Sequence, residues 1–84
     1  DTPTLPQALL PMAEISVLDN QFLTARAFLE RYFATGALSE RSLFLAASVE
    51  HQLDDANKAN QYRRALLRSY PTSSYNETLE GLLQ

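Results

Sequence analysis

The chain has 84 residues, seven basic against ten acidic, and no cysteine. That length holds one small domain or a piece of a larger protein, and the missing cysteines exclude both a disulfide framework and a thiolate metal site. A net charge of -3 runs against the basic surface that a nucleic-acid binder needs, and an apolar content of 45% excludes a disordered chain.

No stretch approaches the roughly 20 apolar residues of a membrane-spanning helix; the longest candidate, "SLFLAAS" from Ser42 to Ser48, is far too short. The sequence opens on Asp1 without a charged or apolar leader, as expected of a processed chain or a piece of a longer one. The absence of cysteine suits cytosol and periplasm alike.

With two glycines, no alternating β-branched run and abundant Ala, Leu, Glu, Gln and Arg, the sequence is built for helices. A first helix is predicted from Pro6 to Leu18, with Leu9, Met12, Ala13 and Ser16 at helical spacing. Pro6 suits its first turn, and Pro11 is tolerable only if the helix has barely begun there. "DNQ" at Asp19 to Gln21 breaks it, because Asn20 accepts the left-handed conformation of a tight turn.

A second helix follows from Phe22 to Phe33, a third starts after Ser39 and ends near Leu53 to Asp55, and a fourth runs from Ala56 or Asn57 to Ser69 before Pro71. A fifth begins at Ser74, whose spacing from Glu77 has the form of a capping box. Tyr75, Leu79, Leu82 and Leu83 give it an apolar stripe, with Glu77 and Glu80 on the wet side.

Shifting the chain by 34 residues lays like on like. Leu9 falls on Leu43, Met12 on Ala46, Ala13 on Ala47 and Ile15 on Val49; Asn20-Gln21 falls on Asp54-Asp55, Ala25 on Ala59, Phe28 on Tyr62, Phe33 on Leu67 and Ser39 on Ser73. A helix-turn-helix unit of this period resembles the tetratricopeptide repeat. Leu9 and Leu43 stand at its first large apolar position, Met12-Ala13 and Ala46-Ala47 at its apolar-small pair, and Ala25 and Ala59 at its second small position. The small residues let paired helices approach closely. The departures are Tyr32 and Leu66 where a small residue is usual, Arg63 where an aromatic is usual, and Ala37 where the second copy has Pro71.

The expected fold is therefore an all-α, tetratricopeptide-like α-α superhelix. Its parts are a short extension over 1–5, repeats over 6–39 and 40–73, and a C-terminal capping helix over 74–84. An apolar face around Leu9, Met12 and Ile15 would then lie at a severed end and favour self-association.

Little in the sequence points to catalysis or to a cofactor. His51 precedes Asp54 and Asp55 at helical spacing, but the aspartates fall in a turn, where ending one helix and opening the next is their commoner task. There is no cysteine nucleophile, glycine-rich phosphate loop or HExxH pairing, so no enzyme, metal or cofactor is expected. Arg63, Arg64 and Arg68 offer a nucleic-acid reading, yet Lys58 is the sole other cation in that half-repeat. A solvated strip matched to the negative end of a helix dipole accounts for them, with Tyr62, Tyr70 and Leu66-Leu67 as packing.

In arrays of this kind the first helix of each pair lines a concave face for a protein partner. By pattern position that face comprises Gln7, Leu10, Glu14, Val17 and Leu18, then Arg41, Phe44, Ser48, His51 and Gln52. The alternative is that its apolar members only finish the core or meet a neighbouring repeat.

"LLPMAEISVLDNQFLTARAFLERYF" (Leu9 to Phe33) and "SLFLAASVEHQLDDANKANQYRRALLRSYPTS" (Ser42 to Ser73) are more specific. The "ARAFLERY" helix, the "L-D-D-x-x-K-A" turn and the "Y-R-x-x-L-x-x-x-Y-P-x-S" ending resemble the C-terminal part of the PilF/PilW type IV pilus biogenesis and stability proteins. The resemblance implies a pilotin lipoprotein on the periplasmic face of the outer membrane, helping the pilus secretin to localise or assemble. It also implies a lipid anchor and earlier repeats outside this sequence. No secretin-binding motif can be carried onto particular residues, and a tetratricopeptide adaptor from another bacterial system would read similarly.

Overall fold

The computed structural model of the chain describes residues 5–83. These residues form five helices in chain order: α1 (Pro6–Leu18), α2 (Phe22–Ala34), α3 (Glu40–Gln52), α4 (Ala56–Ser69) and α5 (Tyr75–Leu82). Among the described residues there is no strand. The chain divides into two compact units, Asp1–Leu38 and Ser39–Gln84. Apart from Leu5, the extension expected over 1–5 lies outside the described residues, as does Gln84.

In the first unit α1 packs against α2. Leu9, Ala13, Ala25, Leu29 and Tyr32 form its core, with Ala13 and Ala25 at 0% exposure. A methyl side chain at both positions leaves no bulk between the helix axes, which is what the repeat pattern requires there. Tyr32, in place of the usual small residue, is buried and meets Phe33 edge-on, with ring centroids 5.5 Å apart.

Pro11 lies inside α1, more than a turn beyond its start, and so corrects the expectation that the helix has barely begun there. Its missing N–H deprives only the Gln7 carbonyl of a donor. Both residues are exposed, so water can serve that carbonyl.

The second unit repeats the arrangement. The first residue of α3 is 34 positions after that of α1, and α4 follows α2 by the same interval. The turns repeat atom for atom. The Asn20 and Gln21 amides donate to the Val17 and Ser16 carbonyls at 3.0 and 2.8 Å, and the Asp54 and Asp55 amides donate to His51 and Glu50 at 3.1 and 2.9 Å. This is the Schellman arrangement, whose pivot must be left-handed. Asn20 and Asp54 supply it at φ 59° and 60°. Asp55 then accepts from the Lys58 amide at 3.1 Å and opens α4. The two aspartates thus end one helix and start the next.

Ala47 and Ala59 close the α3–α4 contact at 0% and 1% exposure, beside Leu43 and Leu66. α5 packs on both α3 and α4 through Leu79, which is 0% exposed. Tyr75 and Leu83 are half-buried, while Leu82 is 39% exposed.

Three expectations are corrected. The capping box does not form at Ser74, whose side chain makes no cap bond and whose backbone is already helical at φ -67° and ψ -19°. The capping hydroxyl belongs to Ser73, which accepts from the Tyr75 amide at 3.1 Å. Ser73 is the repeat partner of Ser39, and Ser39 does form a reciprocal box: it accepts from the Ser42 amide, and the Ser42 hydroxyl accepts from the Ser39 amide at 3.0 Å. Leu67 is 48% exposed rather than packed, because only Leu66 points into the α4 core face. Of the apolar face expected around Leu9, Met12 and Ile15, Leu9 is 1% exposed and Met12 is half-buried, while Ile15 is exposed at 59%.

Candidate functional site

The residues expected to form a partner-binding face divide between the two units. On α1, Leu10, Glu14 and Val17 recur at intervals of four and three, which places them along one side of the helix. All three are half-buried, and Leu18 at the end of the row is 82% exposed. Gln7 at its start is exposed. The first unit therefore offers solvent an apolar row, Leu10, Val17 and Leu18, with one carboxylate within it.

On α3 the corresponding row is Arg41, Phe44, Ser48, His51 and Gln52. Arg41 and Gln52 are exposed, and Phe44, Ser48 and His51 are half-buried. The Ser48 hydroxyl donates to the Phe44 carbonyl at 3.0 Å, so its hydrogen is spent on its own helix. His51 occupies the last turn, with its carbonyl accepting from Asp54. Among the described residues no cluster of His, Cys, Asp or Glu could hold a metal ion.

At the start of this row α5 closes over α3. The rings of Phe44 and Tyr75 stack at a centroid distance of 4.3 Å and an interplanar angle of 16°. The Arg41 guanidinium carbon lies 5.6 Å from the Phe44 centroid and 6.0 Å from that of Tyr75. Arg41 Nη1 also donates to Tyr75 Oη at 3.4 Å. Cation and ring faces within about 6 Å attract through the ring quadrupole. Beneath this trio the Ser73 hydroxyl donates to the Glu40 carboxylate, tying the approach to α5 onto the first turn of α3.

Sequence reasoning assigned Tyr75 to sealing the last helix pair and Phe44 to a binding face, and missed that each ring is the other's contact. The signal was present: Tyr75 stands 34 residues after Arg41, so α5 enters where the first helix of a third repeat would.

The arginines of α4 do not form a common strip. Arg63 Nε donates to Asn60 Oδ1 at 3.0 Å, beside a cleft of ≈ 240 Å³ lined also by Glu80 and Leu83. Glu77 and Leu67 border the adjoining cleft, which Arg63 and Glu80 also line. Arg64 and Arg68 are exposed, and Arg68 alone lies in the last turn of α4. The dipole role assigned to all three therefore narrows to Arg68, because the effect fades beyond one turn. A further cleft of ≈ 260 Å³ in the first unit is lined by Leu9, Arg31, Ala34 and Thr35. Among the described residues no helix is long and apolar enough to cross a membrane.

No protein-family model matches the chain, and no curated protein matches it in sequence. Among solved structures it is similar to the crystal structure of PilW, described as a widely conserved type IV pilus biogenesis factor. The TM-score is 0.85 at 24% identity, over 92% of this chain and 36% of that one. The chain thus has the tetratricopeptide-like, all-helical fold of a part of PilW and spans about a third of its length. The resemblance read from the "ARAFLERY" and "YRRALLRSYP" segments leads to the same protein.

Proposed function

We propose that the chain is a non-catalytic protein-binding part of a type IV pilus biogenesis protein. Its task is to assist assembly or outer-membrane localisation of the pilus secretin. The observation that carries this reading is the likeness to PilW over 92% of the chain. The rows on α1 and α3 supply the contacts, since exposed apolar side chains beside a few polar ones are what a protein partner buries. The protein works at the periplasmic face of the outer membrane, and a lipid anchor outside this sequence holds it there.

The test is affinity for the periplasmic part of a secretin, measured by calorimetry on the intact chain and on Leu10→Glu and Val17→Glu. Both residues are partly solvent-exposed, so a carboxylate can reach water while spoiling an apolar contact. Each variant is expected to bind about tenfold more weakly, equivalent to roughly 1.4 kcal/mol, with unchanged helical circular dichroism. Unaltered affinity in the folded variants would remove the α1 row from the interface. No binding by the intact chain would remove the secretin.

A further inference from the structure

The Phe44–Tyr75 stack occupies ground that the repeat pattern gives to a partner. α5 has eight residues, below the length of about 12 to 15 at which a helix holds itself in water. Gly81 lowers its helical preference further. Leu79 is its one buried side chain, so its place on α3 and α4 rests on that leucine, the Tyr75 ring and the bonds at its entry. Both rings are half-buried, and their contact reaches the surface with the exposed Arg41 at its edge. A flat ring face with a guanidinium beside it is suited to one kind of guest: another aromatic ring that carries a hydrogen-bonding end. Tyr75 supplies both features, as its ring lies on Phe44 and its hydroxyl accepts from Arg41.

We propose that Phe44, flanked by Arg41, is a seat for an aromatic side chain of a protein partner, and that Tyr75 is its internal occupant. The partner segment carries a tyrosine, which replaces Tyr75 when α5 lifts. This deepens the reading that the α3 row binds protein, and rests on it. It explains why the last helix is both short and aromatic at its first residue: it covers the seat when no partner is present.

The experiment uses the whole chain with Tyr75→Ala and a probe of matching chemistry, N-acetyl-tyrosinamide, followed by NMR. The probe is expected to shift the Phe44 ring and Arg41 side-chain signals of the variant, with saturation in the millimolar range typical of so small a ligand. N-acetyl-alaninamide should leave those signals in place, and the intact chain should respond at least about tenfold more weakly, since Tyr75 holds the seat. Tyr75→Leu keeps an apolar residue at the start of α5 and must give the same response, which covers the case where the alanine variant loses the helix.

The proposal is overturned if folded variants ignore the probe, respond equally to the alanine compound, or respond no better than the intact chain. No pilus protein enters this test. Its failure leaves the Leu10 and Val17 experiment standing, and failure of that experiment leaves the seat intact.

Discussion

Leu79→Ala should release α5 while leaving the α3–α4 pair folded. Leu79 is 0% exposed and is the only buried residue of its helix. Truncating such a leucine costs about 2–5 kcal/mol through lost transfer energy and residual cavity. A helix of eight residues has little stability of its own to absorb that loss. The remaining ties include the Tyr75 stack, about 0.5–1.5 kcal/mol, and the hydrogen bonds of Tyr75, Ser73 and Asn76, each about 0.5–1.5 kcal/mol net. Against them stands an ordering cost of about 1–2 kcal/mol for every residue fixed. The deletion therefore shifts the docking equilibrium of α5 at least about 30-fold toward open, the factor equivalent to 2 kcal/mol.

Amide hydrogen exchange reads this directly. The Leu83 amide, bonded to the Leu79 carbonyl at 2.9 Å, reports on α5, and the Leu53 amide, bonded to Val49 at 3.0 Å, reports on α3. Leu83 should exchange about 30-fold faster or more, with Leu53 changed far less. Equal acceleration of both amides would refute the reasoning, because α5 would then be an integral part of the unit rather than a separable helix. Unchanged exchange at Leu83 would refute it from the other side.

Two further sets of substitutions test the local chemistry by urea denaturation. Ser39→Ala should cost about 1 kcal/mol, as removal of an N-cap hydroxyl generally does; Ser73→Ala should loosen α5 in the same way, while Ser74→Ala should stay within about 0.5 kcal/mol, because its side chain caps nothing. A larger loss at Ser74 than at Ser73 would restore the capping box to Ser74. Asn20→Ala and Asp54→Ala should each cost about 1 kcal/mol, with glycine at either position better tolerated, since φ is 59° and 60° there. Gly36→Ala should behave likewise at φ 88°, although a methyl group would meet no atom within 4 Å. Loss at Asn20 and Asp54 of equal size for alanine and glycine would mean that the side chains, not the backbone angle, hold the turns.

The helices and their turns were legible because local chemistry alone decides them. Asn20 and Asp54 can adopt a left-handed pivot, the alanines at 13, 25, 47 and 59 demand close helix contact, and one period relates both sets. Period also succeeds where motif-reading failed. "SSYNE" offers a Ser-x-x-Glu match at Ser74, yet the cap falls on Ser73, because Ser73 holds the place that Ser39 holds one repeat earlier. A hydroxyl one residue too far along sits on backbone that is already helical, and cannot accept from its own first turn.

Burial on the outer faces was less legible, because a helix's period says which residues share a face and not what covers it. Leu67 matches Phe33 in the repeat and still reaches solvent, and Arg63 takes an aromatic's place beside a cleft that Glu80 shares. The candidate site shows the same limit. The spacing of Arg41, Phe44 and Ser48 places them along one side of α3, but only the three-dimensional return of the chain at Ser73 brings Tyr75 onto Phe44. A contact between residues 31 apart in sequence leaves no mark on the pattern of either segment. The repeat supplies the missing link, because Tyr75 recurs at the Arg41 position. An aromatic in that register recurs at the head of the row that the repeat pattern assigns to a partner, and its stacking on Phe44 is the observation from which we propose that the chain fills its own aromatic seat.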